Sequence, residues 1–288
     1  MHGAVDLAAA RAEHSVEASA ADRLRRAAAP RDVAAIIPAY NEAATIGDIV
    51  GRALAVVPDV IVVDDGSCDN TAEIAVAAGA VVLRQNGNRG KGAALWRGMT
   101  HALSLGVRHI VTLDGDGQHR PEDIARLVAA SRRDSSGIVL GSRRAHKKDF
   151  PLARYIANRI ADFWVSWAAG FPIEDTQSGF RVYPADVVRR LAARPPRSPG
   201  FAFESEILIA AHWQGFRCRS VDIAALYGDA LRRPSHFRPA ADIARIVLMV
   251  AGKLLRRGMY PQGLWRVVTG ADNRRFDATA QQQSKETP

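Results

Sequence analysis

Long apolar runs are missing from this chain of 288 residues, and no stretch reaches the roughly 20 residues that a membrane-spanning helix needs. Cysteine is scarce. Cys68 and Cys218 form no CxxC pair and have no metal-ligand spacing, which excludes a disulfide framework and fits a reducing compartment. Acids are too few to balance the bases: 30 Asp and Glu against 39 Lys and Arg leave a formal charge of +9. Such a charge calls for an anionic partner: nucleic acid, a membrane surface or a phosphorylated substrate. Zinc-finger, basic-zipper and RNA-recognition signatures are absent, so sequence-specific nucleic-acid binding has little support. His101, His109 and His119 are not linked by an HExxH, which discounts a zinc enzyme. No G-x-G-x-x-G follows the first apolar run and no Walker sequence occurs. Hydride transfer and P-loop phosphoryl transfer are therefore poor fits. Residues 1–31 are rich in Ala and Arg but lack a signal-peptide core, and they read as a flexible tail. Residues 271–288 read as a disordered tail.

What is present is alternation. Short apolar runs, "VAAIIPAY", "VIVVDDGS", "AVVLRQ", "HIVTLDGDG" and "GIVLGSR", read as buried strands. Between them lie stretches of helical spacing: "EAATIGDIVGRALAVV", residues 69–78, "GKGAALWRGMTHALSLG" and "PEDIARLVAASRR", the last opened by a proline. The expectation is an α/β fold: a mostly parallel central sheet with helices on both faces. Ligands of such sheets bind beyond the carboxyl ends of the strands. Those ends read "AYNE", "DDGS", "DGDGQ" and "GSRR". Acids from three strands and arginines from a fourth should line one edge. Asp114 and Asp116 stand one residue apart in a glycine-rich turn. Two carboxylates this close repel each other unless a cation lies between them. Mg²⁺ or Mn²⁺ suits oxygen ligands and bridges carboxylates to a substrate phosphate.

The segments "IIPAYNEAATIGDIV", "VVDDGSCDNTAEIA", "NRGKGAALWRGM", "TLDGDGQHRPEDI", "GSR", "DTQSGFRVYP" and "GFAFESEILIAA" occur in this order. The order resembles that of family 2 glycosyltransferases of the nucleotide-sugar-binding GT-A fold. The nearest branch resembles the dolichol-phosphate mannosyltransferases and the bacterial polyprenyl-phosphate glycosyltransferases. The resemblance spans about residues 33–237 and gives a glycosyltransferase domain at 32–237. It implies inverting transfer of a hexose from a UDP- or GDP-sugar, with Mg²⁺ or Mn²⁺ on the diphosphate. Asp114, Asp116 and Gln118 would hold the metal, with Asp116 also catalytic. Pro38, Tyr40, Glu42, Asp65, Lys91 and Asp114 would bind the donor, Asp64 being structural. Lys91 also lies in a glycine-rich helix start, where backbone N–H groups and an ammonium favour anions.

On the acceptor side, the resemblance gives Arg143 a phosphate, and a guanidinium fork suits that task. His146, Lys147 and Lys148 continue the basic run. Arg154 and Asn158 lie four apart on one helical face and match the region holding a lipid phosphate. A phosphate acceptor is largely ionised near neutral pH and can attack without a strong base. A hydroxyl acceptor would need one, and Asp175 or Glu204 is then the candidate. Asp175 has two other readings: positioning the acceptor, or capping a turn. "LRRPSHF" resembles the family loop that closes over the diphosphate, through Arg232 or Arg233 and His236. His236 stands where lysine is commoner, which makes that contact weaker or pH-dependent.

Residues 238–270 form a basic C-terminal segment that opens with an amphipathic helix at 238–257. Ile243, Ile246, Val247, Val250, Leu254 and Leu255 fall near one face. Between residues 231 and 275 there are ten Lys or Arg and two acids. Such a helix either lies in a membrane interface or packs on its own domain. The expectation is a metal-dependent, dolichyl-phosphate mannosyltransferase-like enzyme of the cell envelope. It would be peripheral to the inner membrane face or held there by a membrane-protein partner, and would carry a hexose to a polyprenyl phosphate. The alternative keeps the donor chemistry with a hydroxyl acceptor, a lipid or polysaccharide precursor.

Overall fold

The computed structural model describes residues 31–143, 152–223 and 239–270, apart from the side chains of 152–154 and 239–242. Five strands and the intervening helices follow the sequence pattern: β1 (Val33–Ala39), α1 (Ile46–Leu54), β2 (Asp59–Asp64), α2 (Thr71–Ala77), β3 (Val81–Arg84), α3 (Lys91–Ser104), β4 (His109–Thr112), α4 (Ile124–Arg133) and β5 (Gly137–Ser142). After these come α5 (Leu152–Ala169), β6 (Arg181–Pro184), α6 (Ala185–Leu191), α7 (Ala202–Trp213), β7 (Arg217–Asp222), α8 (Pro239–Arg256) and α9 (Pro261–Thr269). Pro121 opens a 3₁₀ turn, Pro121–Asp123, ahead of α4, rather than the α-helix itself. The helix expected to begin near residue 42 starts at Ile46, after a turn in which Glu42 O accepts the N–H groups of Thr45 and Ile46.

The strands form one seven-stranded sheet in the order β3-β2-β1-β4-β6-β5-β7. Every pairing is parallel except those of β6, which runs antiparallel to both β4 and β5. Helices cover both faces, and strand residues alternate between two cores. Ala34, Ile36, Ile61, Val63, Ile110 and Leu140 face one core. Val33, Ala35, Ile37, Val62, Val111 and Val139 face the other. That period of two explains why strands buried on both sides read as continuous apolar runs. Gly98 lets α3 lie close on β1, since a Cβ there would stand 2.4 Å from Ile36 Cγ2.

The C-terminal pair packs on this body. α8 buries Ile246, Val250 and Leu254 in the same core as α7. Ile243, Val247 and Leu255, expected on that face, remain exposed, as does Leu248. The apolar arc of α8 is wider than the contact it makes. No helix among the described residues is long and apolar enough to cross a membrane.

Candidate active site at the carboxyl edge of the sheet

Parallel β1, β2, β4 and β5 all end on one edge, and antiparallel β6 begins there. The loops at 40–45, 65–70, 113–120 and 143 therefore meet the segment 174–180. The first three are stitched together. Asn41 N–H donates to Ser67 Oγ (2.9 Å), Glu42 N–H to Thr71 Oγ1 (2.8 Å), and Thr45 Oγ1–H to Gly115 O (2.7 Å). Asn41 and Asp175 adopt left-handed backbone at φ 57° and 50°. Asn and Asp tolerate that region better than most non-glycine residues.

Asp114 follows β4 and meets Lys91, the first residue of α3. Lys91 Nζ lies 2.7 Å from Asp114 Oδ1 and 2.9 Å from Glu204 Oε2, with its ammonium 5.0 Å above the Phe201 ring. Burial opposes the charge on Asp114, but Lys91 outweighs it and holds the carboxyl down to about 2. Burial likewise opposes the ammonium, and the two carboxylates hold Lys91 above the ordinary lysine range. Gly179 makes room for the cluster. A Cβ there would stand 2.9 Å from both Asp114 carboxylate oxygens and from Glu204 Oε1.

Asp116 is the uncompensated member of the pair. It forms no ion pair among the described residues, and Gln118 N–H donates to its Oδ1 at 3.0 Å. Burial and the charge of Asp114 both push its carboxyl upward. A divalent cation would relieve that repulsion. No cluster of three His, Cys, Asp or Glu capable of holding a metal occurs among the described residues. Asp114 and Asp116 thus fit a hard ion that takes its remaining oxygens from substrate or water, the usual manner of Mg²⁺. His119 backs this loop. Its Nδ1 accepts the Asp114 N–H (3.4 Å), its ring lies 5.2 Å from Phe180, and burial pushes it down to about 4, so the ring is neutral.

Asp65, just after β2, reaches across to the loop that enters α3. It accepts from Arg89 N–H (2.8 Å), Gly90 N–H (2.7 Å) and Gln85 Nε2–H (2.8 Å). Burial raises its carboxyl despite those backbone donors. The anion at this helix start is therefore a side chain of the protein itself. Asp64 is fully buried, accepting from Ser67 N–H (2.9 Å) and lying 3.2 Å from Arg84 Nε. Pro38 and Tyr40 are half-buried at the end of β1, and Glu42 is buried beside them.

Arg143 leaves β5 gripped by Asp175. Its backbone N–H and Nε–H donate to Asp175 Oδ2 (2.9 and 3.1 Å), and Nη2–H to Oδ1 (2.8 Å). Both residues are buried. Thr176 N–H and Oγ1–H donate to Asp162 of α5, each at 2.8 Å. Asn158 is half-buried on the same helix. The side chain of Arg154 lies outside the described residues, as do Arg144, His146, Lys147, Lys148, Arg232, Arg233 and His236.

Arg181 was not assigned a role by the sequence, although "QSGFR" contains it. Fully buried, it donates to Ser178 O (2.7 Å), Glu204 O (2.6 Å), Thr176 O (2.8 Å) and the Tyr183 hydroxyl (3.2 Å). One guanidinium thereby fastens the 176–179 segment to the start of α7. An arginine heading the short apolar run "RVYP" is the sequence signal that could have found it.

Comparison with known proteins agrees with this geometry. Residues 34–190 match the family described as Glycosyl transferase family 2. The UDP-N-acetylglucosamine–dolichyl-phosphate N-acetylglucosaminyltransferase of Methanococcus voltae is 30% identical over 243 residues, covering 76% of this chain and 96% of that protein. The undecaprenyl-phosphate mannosyltransferase of Micrococcus luteus is 31% identical, covering 66% of this chain and 82% of that protein. Among solved structures, glucosyl-3-phosphoglycerate synthase from Mycobacterium tuberculosis, in complex with Mn²⁺, UDP-glucose and glycerol 3-phosphate, superposes with a TM-score of 0.58 at 23% identity. That match covers 80% of this chain and 81% of the synthase and is a likeness of fold.

Proposed function

Because the chain belongs to glycosyl transferase family 2, we propose that it is an inverting transferase that moves a hexose from a UDP- or GDP-sugar to a polyprenyl phosphate at the inner membrane surface. The observation that carries this reading is the meeting of two charge sets on one sheet edge. Asp114, Asp116 and Lys91 form the donor end, and Arg143 clamped by Asp175 forms the acceptor end. Mg²⁺ or Mn²⁺ held by Asp114 and Asp116, with Gln118 beside them, would neutralise the departing diphosphate as a Lewis acid. Pro38, Tyr40 and Glu42 would line the base and ribose, and Asp65 would order the loop that enters α3 by holding the Arg89 and Gly90 N–H groups. Arg143 orients an acceptor phosphate, whose oxygen forms the new bond at the anomeric carbon as the bond to the diphosphate breaks on the opposite side. The two candidate bases support a phosphate rather than a hydroxyl acceptor. Asp175 is engaged by Arg143 and Glu204 by Lys91, and an ionised phosphate needs neither. Relatives named for dolichyl-phosphate and undecaprenyl-phosphate transfer support the same class.

The test is transfer of radiolabelled sugar from a panel of UDP- and GDP-hexoses into extractable polyprenyl phosphate, with Mg²⁺ or Mn²⁺, with EDTA, and with Asp116→Ala. Metal-dependent label in the lipid phase, lost in the variant, is the expected result. Donor binding without lipid label would sink the acceptor and turn the search to hydroxyl acceptors. Transfer undiminished by EDTA would sink the metal.

A further inference from the structure

The outer side of α5 is apolar where a solvent-facing helix is ordinarily polar. Ile156, Ile160, Phe163 and Trp164 are 49, 55, 38 and 42% exposed. With half-buried Trp167 they stand at i, i+4, i+7, i+8 and i+11, which is one stripe of a helix. Asp162, Val165, Ser166 and Ala169 are buried on the opposite side. The aromatic rings pack on one another. Phe163 and Trp164 meet edge-on at 5.7 Å, and Trp164 stacks on Trp167 at 5.2 Å. The stripe runs into the junction of α8 and α9, where Trp167 Nε1–H donates to Met259 O at 3.0 Å. Met259 is exposed there, and Trp265 and Val268 are exposed on α9. Single exposed apolar residues are ordinary, but a contiguous aromatic stripe marks a binding surface.

Charge identifies the occupant. Residues 243–270 carry Arg245, Arg256, Arg257 and Arg266 and no acid, Lys253 being paired with Glu206 of α7. The acid of α5, Asp162, is turned inward onto Thr176, while Arg159 beside the stripe is exposed. Tryptophan and aliphatic side chains flanked by arginine suit the boundary between acyl chains and anionic headgroups. We propose that the α5 stripe, together with the α8–α9 junction, is the face that seats this protein on an anionic lipid bilayer. The proposal rests on the lipid-acceptor reading above and deepens it. The inner side of α5 braces Thr176, next to the Asp175 that grips Arg143. Seating the outer side therefore sets the acceptor end of the site one helix away from the headgroups.

The experiment is co-sedimentation of the full chain with phosphatidylcholine vesicles, with and without phosphatidylglycerol, alongside transfer to a water-soluble short-chain isoprenyl phosphate. Binding is expected to require phosphatidylglycerol and to shift tryptophan emission to the blue. The double variant Phe163→Ser, Trp164→Ser, at exposed positions, should lower partitioning by about tenfold or more. It should leave circular dichroism and short-chain transfer unchanged. If the wild-type chain ignores anionic vesicles while transferring to the short-chain acceptor, the seating face is wrong and the catalytic reading stands. If it binds vesicles through the stripe but transfers sugar to neither acceptor, the catalytic reading falls and the face stands. Vesicle binding unchanged by the double variant would overturn the proposal. So would a dimer in sedimentation that the variant dissolves, which would assign the stripe to a second copy.

Discussion

Gly179 has no side chain, and the donor end of the site depends on that. A methyl group there would press on the carboxylates of Asp114 and Glu204 at 2.9 Å. Both obstacles are the movable tips of side chains, so the fold can yield, yet those tips hold Lys91 in place. Gly179→Ala is therefore expected to change stability by less than about 1 kcal/mol. Displacement by an ångström at the reacting centre should lower kcat by about tenfold or more. Urea unfolding and steady-state transfer assays on one preparation separate the two effects. An active variant would show that the carboxylate positions are not critical. At this scale the place of several candidate residues in the fold was legible. The D-x-D pair, the lysine at the start of α3 and the arginine after β5 each sit where the pattern put them. Their partners were not legible. Lys91 with Glu204, and Arg143 with Asp175, are pairs between segments far apart in sequence, and a periodic pattern carries no information about which loops meet.

At the level of elements, parallel β7, whose "RCRSVD" is only partly buried, was missed, whereas β1, β2, β4 and β5 could be read because both of their faces are buried, and β3 through its apolar "VVL" although it is partly exposed. β6 could not. It is four residues long, begins with a charged residue and runs against its neighbours. What holds it is Arg181, whose guanidinium satisfies three backbone carbonyls and a hydroxyl in a place closed to water. Replacing it by methionine keeps the apolar stem and strands those acceptors. A buried unsatisfied acceptor costs about 1–3 kcal/mol, so Arg181→Met should destabilise the protein by about 3 kcal/mol or more in urea unfolding. Arg181→Lys should recover part of the loss by restoring one donor. Methionine tolerated at no cost would mean that the 176–179 segment is held by other contacts. α8 teaches a related lesson. Its hydrophobic spacing was visible, but spacing alone did not separate the residues that pack, 246, 250 and 254, from those left outside.

Across the whole molecule, two apolar cores flank one sheet, and the C-terminal helix α8 belongs to the larger of them. Ile246, Val250 and Leu254 share that core with Ile207, Leu208 and Ala211 of α7. Lys253 reinforces the contact, 3.0 Å from Glu206 and 5.0 Å from the Trp213 ring. This places α8 under the same cooperative transition as the sheet. α7 also carries Glu204 and so links α8 to Lys91. Leu254 is 1% exposed, and truncating such a leucine costs about 2–5 kcal/mol through lost burial and the cavity left behind. Leu254→Ala is accordingly expected to move the entire unfolding curve to lower urea with an unchanged slope, by fluorescence and by circular dichroism alike. Leu248→Ala, at a position 72% exposed, should shift it by less than about 0.5 kcal/mol. An early, separate transition in Leu254→Ala, with the main one unmoved, would instead make α8 and α9 an appendage that melts by itself. The contrast between the two leucines decides the matter, because they lie on one helix and differ in what they touch.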